Sequence, residues 1–144
     1  MNIDLRRSTR QGDYLPITVN AVNGIDGSLI CGPFSSRIID LSTNGACLLM
    51  TQVLKDRYHI FHSTQENPSY LLQLILNLPP ILVDSTIDAR PVWFNSHHQK
   101  GINAFKLGVE FLSSPQGKKM KKIQAAVAQN QKSRGTWWAE TSRD

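Results

Sequence analysis

The sequence predicts a mainly β protein: a small six- or seven-stranded antiparallel β-barrel with one C-terminal α-helix. Three observations carry this reading. Apolar and polar residues alternate along several short segments. Glycine, proline and asparagine punctuate those segments at short intervals. The apolar period lengthens to that of a helix only near the C terminus. With 144 residues, 40% of them hydrophobic and 19% charged, the chain has the material for one buried core and one domain.

The elements follow in order. Leu15 to Val22 alternates, with Ile17, Val19 and Ala21 on one face and Thr18 and Asn20 on the other. Asn23-Gly24 and Asp26-Gly27 are hairpin signals, because these residues tolerate positive φ. Ser28 to Asp40 reads as a second strand, with a bulge or loop expected at Gly32-Pro33-Phe34-Ser35 because proline cannot donate to a ladder. Asn44-Gly45 turns the chain into a third strand, Ala46 to Thr51. Tyr58 to His62 is short and strand-like, and Glu66-Asn67-Pro68 marks a loop. From Leu72 to Leu78 the even positions are all leucine, a period of two with one buried face. Thr86 to Phe94 and Ala104 to Leu112 are the last strands, joined by a polar loop over Asn95 to Gly101. Ser114-Pro115 opens a helix, on which Met120, Ile123 and Val127 recur at helical spacing and dock on the barrel. Gly135 is expected to end the ordered part.

Composition narrows the function. The formal net charge of +5 favours anionic partners without choosing among nucleotides, nucleic acid and membrane surfaces. Cys31 and Cys47 have no C-x-x-C spacing and read as buried, reduced thiols. His59, His62, His97 and His98 read as surface residues; the His59/His62 pair lacks a third metal ligand nearby. No histidine follows Ser42 at a spacing diagnostic of a serine hydrolase. The segment Met1 to Leu5 has no signal-peptide core, and no apolar run is long enough for a membrane span. The expectation is a cytoplasmic protein without catalysis, metal or cofactor.

Two polar motifs carry the chemistry. Arg6 and Arg10 make R-x-x-x-R, with Arg7 between them; Asp40, Ser42 and Gly45 make D-x-S-x-x-G. Guanidinium forks suit phosphate oxygens and the O6/N7 edge of guanine. An ionised carboxylate accepts only, and so suits the N1–H and N2–H₂ donors of the same base. Glycine permits a turn and close backbone approach. Taken alone, the arginines are an ordinary basic arm and the second motif an ordinary turn. Together they point to a small ligand that carries phosphates and guanine.

The two motifs in this order resemble those of a PilZ domain, the bacterial receptor module for cyclic di-GMP. The resemblance extends to Arg90-Pro91-Val92-Trp93 and Leu107-Gly108-Val109-Glu110-Phe111, which are similar to the family's last two long strands, and so covers nearly the whole chain. It implies the same barrel-plus-helix architecture. It also implies that Arg6 and Arg10 clamp phosphate and guanine, that Arg7 is a secondary contact, and that Asp40, Ser42 and Gly45 form the facing turn. Asn44 stands where many members have a second glycine. Trp93 has two readings: it fills the barrel, or it stacks on a purine face, as in some members.

The domain organisation follows: residues 1–13 as a flexible basic arm, 14–131 as the barrel with its helix, and 132–144 as a polar tail. The expected mechanism is a latch, with the arm ordering over the ligand and changing the surface offered to a downstream bacterial protein of unknown identity. The absence of an arginine at Leu5 favours one ligand per chain. Lys118, Lys119, Lys121 and Lys122 read as a solvated helix face, and Trp137-Trp138 as a partner contact or a pair packing back onto the barrel. Two alternatives remain: a basic barrel that binds single-stranded nucleic acid, and a PilZ-fold adaptor that no longer binds nucleotide.

Overall fold

Six antiparallel strands close into a barrel through the pairing of the first strand with both the second and the sixth. The computed structural model describes residues 15–80, 82–99, 101–114 and 116–141, without the side chains of 98, 99, 102 and 130–141. In chain order the elements are β1 (Leu15–Asn23), β2 (Leu29–Leu41), β3 (Gly45–Met50), β4 (Leu54–Lys55), β5 (Tyr58–His59), α1 (His62–Glu66), β6 (Tyr70–Leu78), β7 (Leu82–Gln99), β8 (Ile102–Phe111) and α2 (Lys118–Thr141). Around the barrel the order is β1-β2-β3-β8-β7-β6, and β4 and β5 form a separate two-stranded ribbon.

The alternation read from the sequence is the alternation of the core. Leu15, Ile17, Val19 and Ala21 from β1 meet Leu72, Leu74 and Leu76 from β6 inside, together with Phe34, Ile38, Leu48 and Leu107. On α2 a stripe of Met120, Ile123, Ala126 and Val127 is buried against this core. These residues recur every three to four positions, so one helix face meets the barrel and the lysines face water. Burying side chains of this kind contributes about 1.5–3 kcal/mol each for the larger ones.

Gly32-Pro33 makes a bulge within a continuous β2, as the proline required. Val19 pairs with Phe34 but Ala21 with Cys31, so β2 holds one residue more than β1 across that interval. The hairpin at 23–28 is built by its own side chains: Asn23 Oδ1 accepts from the Ile25 N–H and Asp26 Oδ1 from the Ser28 N–H.

Four expectations change. The segment 58–62 is a two-residue strand that runs into the short helix α1. The polar stretch from Asn95 is ladder rather than loop, with Asn95 opposite Lys106 and Gln99 opposite Ile102. Backbone pairing does not need apolar side chains, and this hairpin end lies beyond the core, so its sequence lacks the buried alternation. The helix begins at Lys118, three residues after Pro115; Ser114 instead organises the turn before it, accepting from Gly117 and Gln116. It also continues through Gly135 to Thr141. A single glycine costs a helix only about 1 kcal/mol relative to alanine. Trp137 and Trp138 fall within α2, and their side chains are outside the described residues.

Candidate functional site

The turn at the end of β2 is held by Ser42 and Gly45. The Ser42 N–H and hydroxyl both donate to the Gly45 carbonyl, over 2.9 and 3.2 Å, while the Asn44 carbonyl accepts from the Phe111 N–H on β8. Neither Asn44 nor Gly45 has a positive φ. The motif glycine is therefore required for a different reason from the left-handed turn that its neighbours suggest. A Cβ at Gly45 would run into the carbonyl oxygen of Val109, so glycine lets β3 start flush against β8.

Asp40 sits one step inside this turn, paired across the ladder with Cys47, and Cys47 in turn pairs with Gly108. Gly108 faces Trp93 across β7 and β8. A Cβ on Gly108 would occupy the space of the Trp93 indole nitrogen, so the ring lies directly over this glycine. Asp40, Ser42, Gly45, Cys47, Trp93 and Gly108 line one open cavity of about 270 Å³ on the outer wall of the barrel.

Trp93 reaches this wall because of a bulge. Pro91 pairs with Val109 and Trp93 with Gly108, so Val92 is an extra residue in β7. Ala89 and Pro91 are buried; without the extra residue Trp93 would follow them inward. Instead it is 41% exposed. The reading in which Trp93 fills the barrel is thus overturned. Proline explains the location of the bulge: Pro91 has no N–H for the ladder, and its carbonyl accepts from the Gln65 side chain on α1 over 2.6 Å. The exposed indole presents a flat apolar surface beside a carboxylate, a geometry suited to a planar base with donors on one edge.

The structure brings Asp40, Ser42, Gly45 and Trp93 together. Arg6, Arg7, Arg10 and the whole of segment 1–13 lie outside the described residues. Three participants escaped sequence reading. Cys47 is half-buried rather than buried, and neither cysteine is in a disulfide. Gly108 and the α2 residue Gln124, whose amide donates to the Ser42 carbonyl over 3.0 Å, also border the turn or the pocket. Only the strand register, and for Gln124 the docking of α2, reveals their proximity.

The histidines are not uniformly surface residues. His59 is half-buried, its ring 4.4 Å from that of His62 and edge-on to Phe94 at 4.9 Å. Its Nδ1 accepts from the N–H groups of Phe61 and His62, both over 3.1 Å. Burial, reinforced by the charge of His62, lowers its pKa below the ordinary histidine value. Among the described residues no group of three or more His, Cys, Asp or Glu side chains is placed to hold a metal ion, and no helix is long and apolar enough to cross a membrane.

The chain folds as a closed six-stranded barrel with a helix packed against it and an open pocket of mixed polarity on its outer wall. No family model and no curated protein matches the chain in sequence. In fold it is similar to the PilZ domain of YcgR from Escherichia coli, solved with c-di-GMP, at 15% identity and a TM-score of 0.52, covering 91% of this chain and 98% of that one. It also aligns with the PlzA protein of Borreliella burgdorferi in complex with c-di-GMP, at 13% identity and a TM-score of 0.48 over 100% of this chain; the chain spans 52% of PlzA, about half its length. The fold is that of a PilZ domain.

Proposed function

We propose that this protein is a non-catalytic receptor for cyclic di-GMP. The observation that carries the reading is the convergence of Asp40, Ser42 and Gly45 with Trp93 on one pocket, from strands remote in sequence. A guanine base stacks on the Trp93 indole and donates from its Watson–Crick edge to Asp40. The Ser42 hydroxyl supplies a further polar contact.

The arginines complete the site. Leu15 pairs with Ile38, two residues from Asp40, so β1 starts beside the pocket. Arg10 is five residues upstream, and an extended chain of that length spans up to about 17 Å. Arg6, Arg7 and Arg10 are therefore within tether range of phosphates bound at the turn. Binding draws residues 1–13 across the barrel wall and alters the surface shown to a downstream bacterial protein that controls motility, adhesion or polysaccharide output. The fold shared with the YcgR domain, solved with c-di-GMP, supports this assignment, and a cytoplasmic site of action accompanies it.

Isothermal titration with cyclic di-GMP, with GTP and a single-stranded oligonucleotide as controls, tests the reading. Saturable heat with cyclic di-GMP alone, and recovery of the ligand chemically unchanged, is the expected result. Silence with cyclic di-GMP and salt-sensitive binding of the oligonucleotide would transfer the assignment to nucleic acid.

A further inference from the structure

A second cavity, of about 550 Å³, opens on the same outer wall, lined in part by Thr18, Ser35, Arg37, Leu49 and Ile75. It adjoins the Trp93 pocket. Leu49 is two residues along β3 from Cys47, and Arg37 three residues along β2 from Asp40, with a ladder irregularity between them. Alternate residues on a strand share a face and lie about 7 Å apart.

The chemistry of this cavity is cationic and partly apolar. Arg37 is exposed, its guanidinium makes no hydrogen bond or ion pair among the described residues, and no described Asp or Glu lines the cavity. Lys106 lies on the other side of Leu49, which is paired with Arg37 on one flank and Lys106 on the other. Ile75 and Leu49 supply apolar surface, and Thr18 and Ser35, paired across β1 and β2, supply hydroxyls. A guanidinium fork beside apolar side chains suits a nucleobase edge or a phosphate.

Ligand pockets typically run about 300–1,000 Å³. The Trp93 pocket alone falls just below this range, and the adjoining cavity supplies the room that a dinucleotide needs. We infer that the Arg37 cavity is the second half of the ligand site, taking the other guanylate of the same cyclic dinucleotide, with Arg37 as its principal cation. This rests on the receptor reading above and adds to it a site that neither motif contains.

The test is a titration of wild type, Arg37→Ala and Ser35→Trp with cyclic di-GMP, each with its thermal midpoint measured without ligand. Arg37 and Ser35 are exposed outer-wall residues, so both variants are expected to fold; the first removes the cation and the second fills the cavity. The expected result is a tenfold or greater loss of affinity in both, with unchanged midpoints. If wild type binds and either folded variant loses less than tenfold, the second half-site is overturned while the receptor reading stands. If wild type itself fails to bind, the receptor reading fails and this proposal with it.

Discussion

The side-chain amide of Gln124 on α2 donates to the backbone carbonyl of Ser42 over 3.0 Å, joining the C-terminal helix to the turn between β2 and β3. The two residues are 82 positions apart in sequence. Any ligand that repositions this turn acts on a carbonyl that the helix holds.

Gln124→Ala removes that tie. A neutral hydrogen bond of this kind contributes about 0.5–1.5 kcal/mol, so the variant folds with a thermal midpoint lowered by a few degrees. Wild type is expected to show altered amide exchange in residues 118–129 on adding cyclic di-GMP, and Gln124→Ala to show none while still binding. An identical helix response in the variant would mean that the turn and the helix are coupled by another route.

Trp93→Ala removes the proposed stacking surface. Loss of one stacked base contact costs about 1–3 kcal/mol, or roughly 5- to 150-fold in affinity. Because the ring is on the outer wall, the midpoint should hardly move. Gly108→Ala should weaken binding as well, since its methyl group displaces the indole. A calorimetric affinity unaltered in both would separate Trp93 from the ligand.

Arg10→Ala is expected to abolish cyclic di-GMP binding and leave the far-ultraviolet circular dichroism unchanged, because the barrel ladders described begin at Leu15. Amide exchange of residues 1–13 should slow on adding ligand to wild type. Retained affinity in Arg10→Ala would remove the R-x-x-x-R motif from the site.

His59 makes stability depend on pH. The folded protein holds this imidazole below its unfolded value, through burial and the neighbouring His62. Its contribution is complete above the unfolded value of about 6.5 and is lost as pH falls through the lower folded value. Protonation also removes the Nδ1 acceptor used by Phe61 and His62. The thermal midpoint should fall between pH 7.5 and pH 5, and His59→Asn should flatten part of that fall; the same slope in both proteins would assign it elsewhere.

The fold was legible wherever one face of an element is buried. Leu72, Leu74 and Leu76 on β6, and Met120, Ile123 and Val127 on α2, advertise their periods because solvent and core lie on opposite sides. The β7–β8 hairpin past Phe94 was not legible, because its ladder extends beyond the core and carries polar residues such as Asn95 and Ser96. The start of α2 was displaced by a turn that uses the same Ser114 a helix cap would use.

The candidate site divides in the same way. The pairing of the two polar motifs, and their resemblance to those of PilZ domains, singled out Asp40, Ser42 and Gly45; alone, these residues read as an ordinary turn. The sequence also marked Trp93 as a residue that either fills the barrel or lies on its surface. Only the tertiary structure excluded the barrel interior. One extra residue at Val92, beside a proline with no N–H to donate, reverses the in–out alternation of β7 and swings the indole onto Gly108. The adjacency of Cys47 and Gly108 to Asp40 and Trp93, and of Gln124 to the turn, was likewise settled by register and docking. Such contacts come from strand pairing and helix packing across the closed barrel, and no local sequence pattern encodes which distant residues that closure brings side by side.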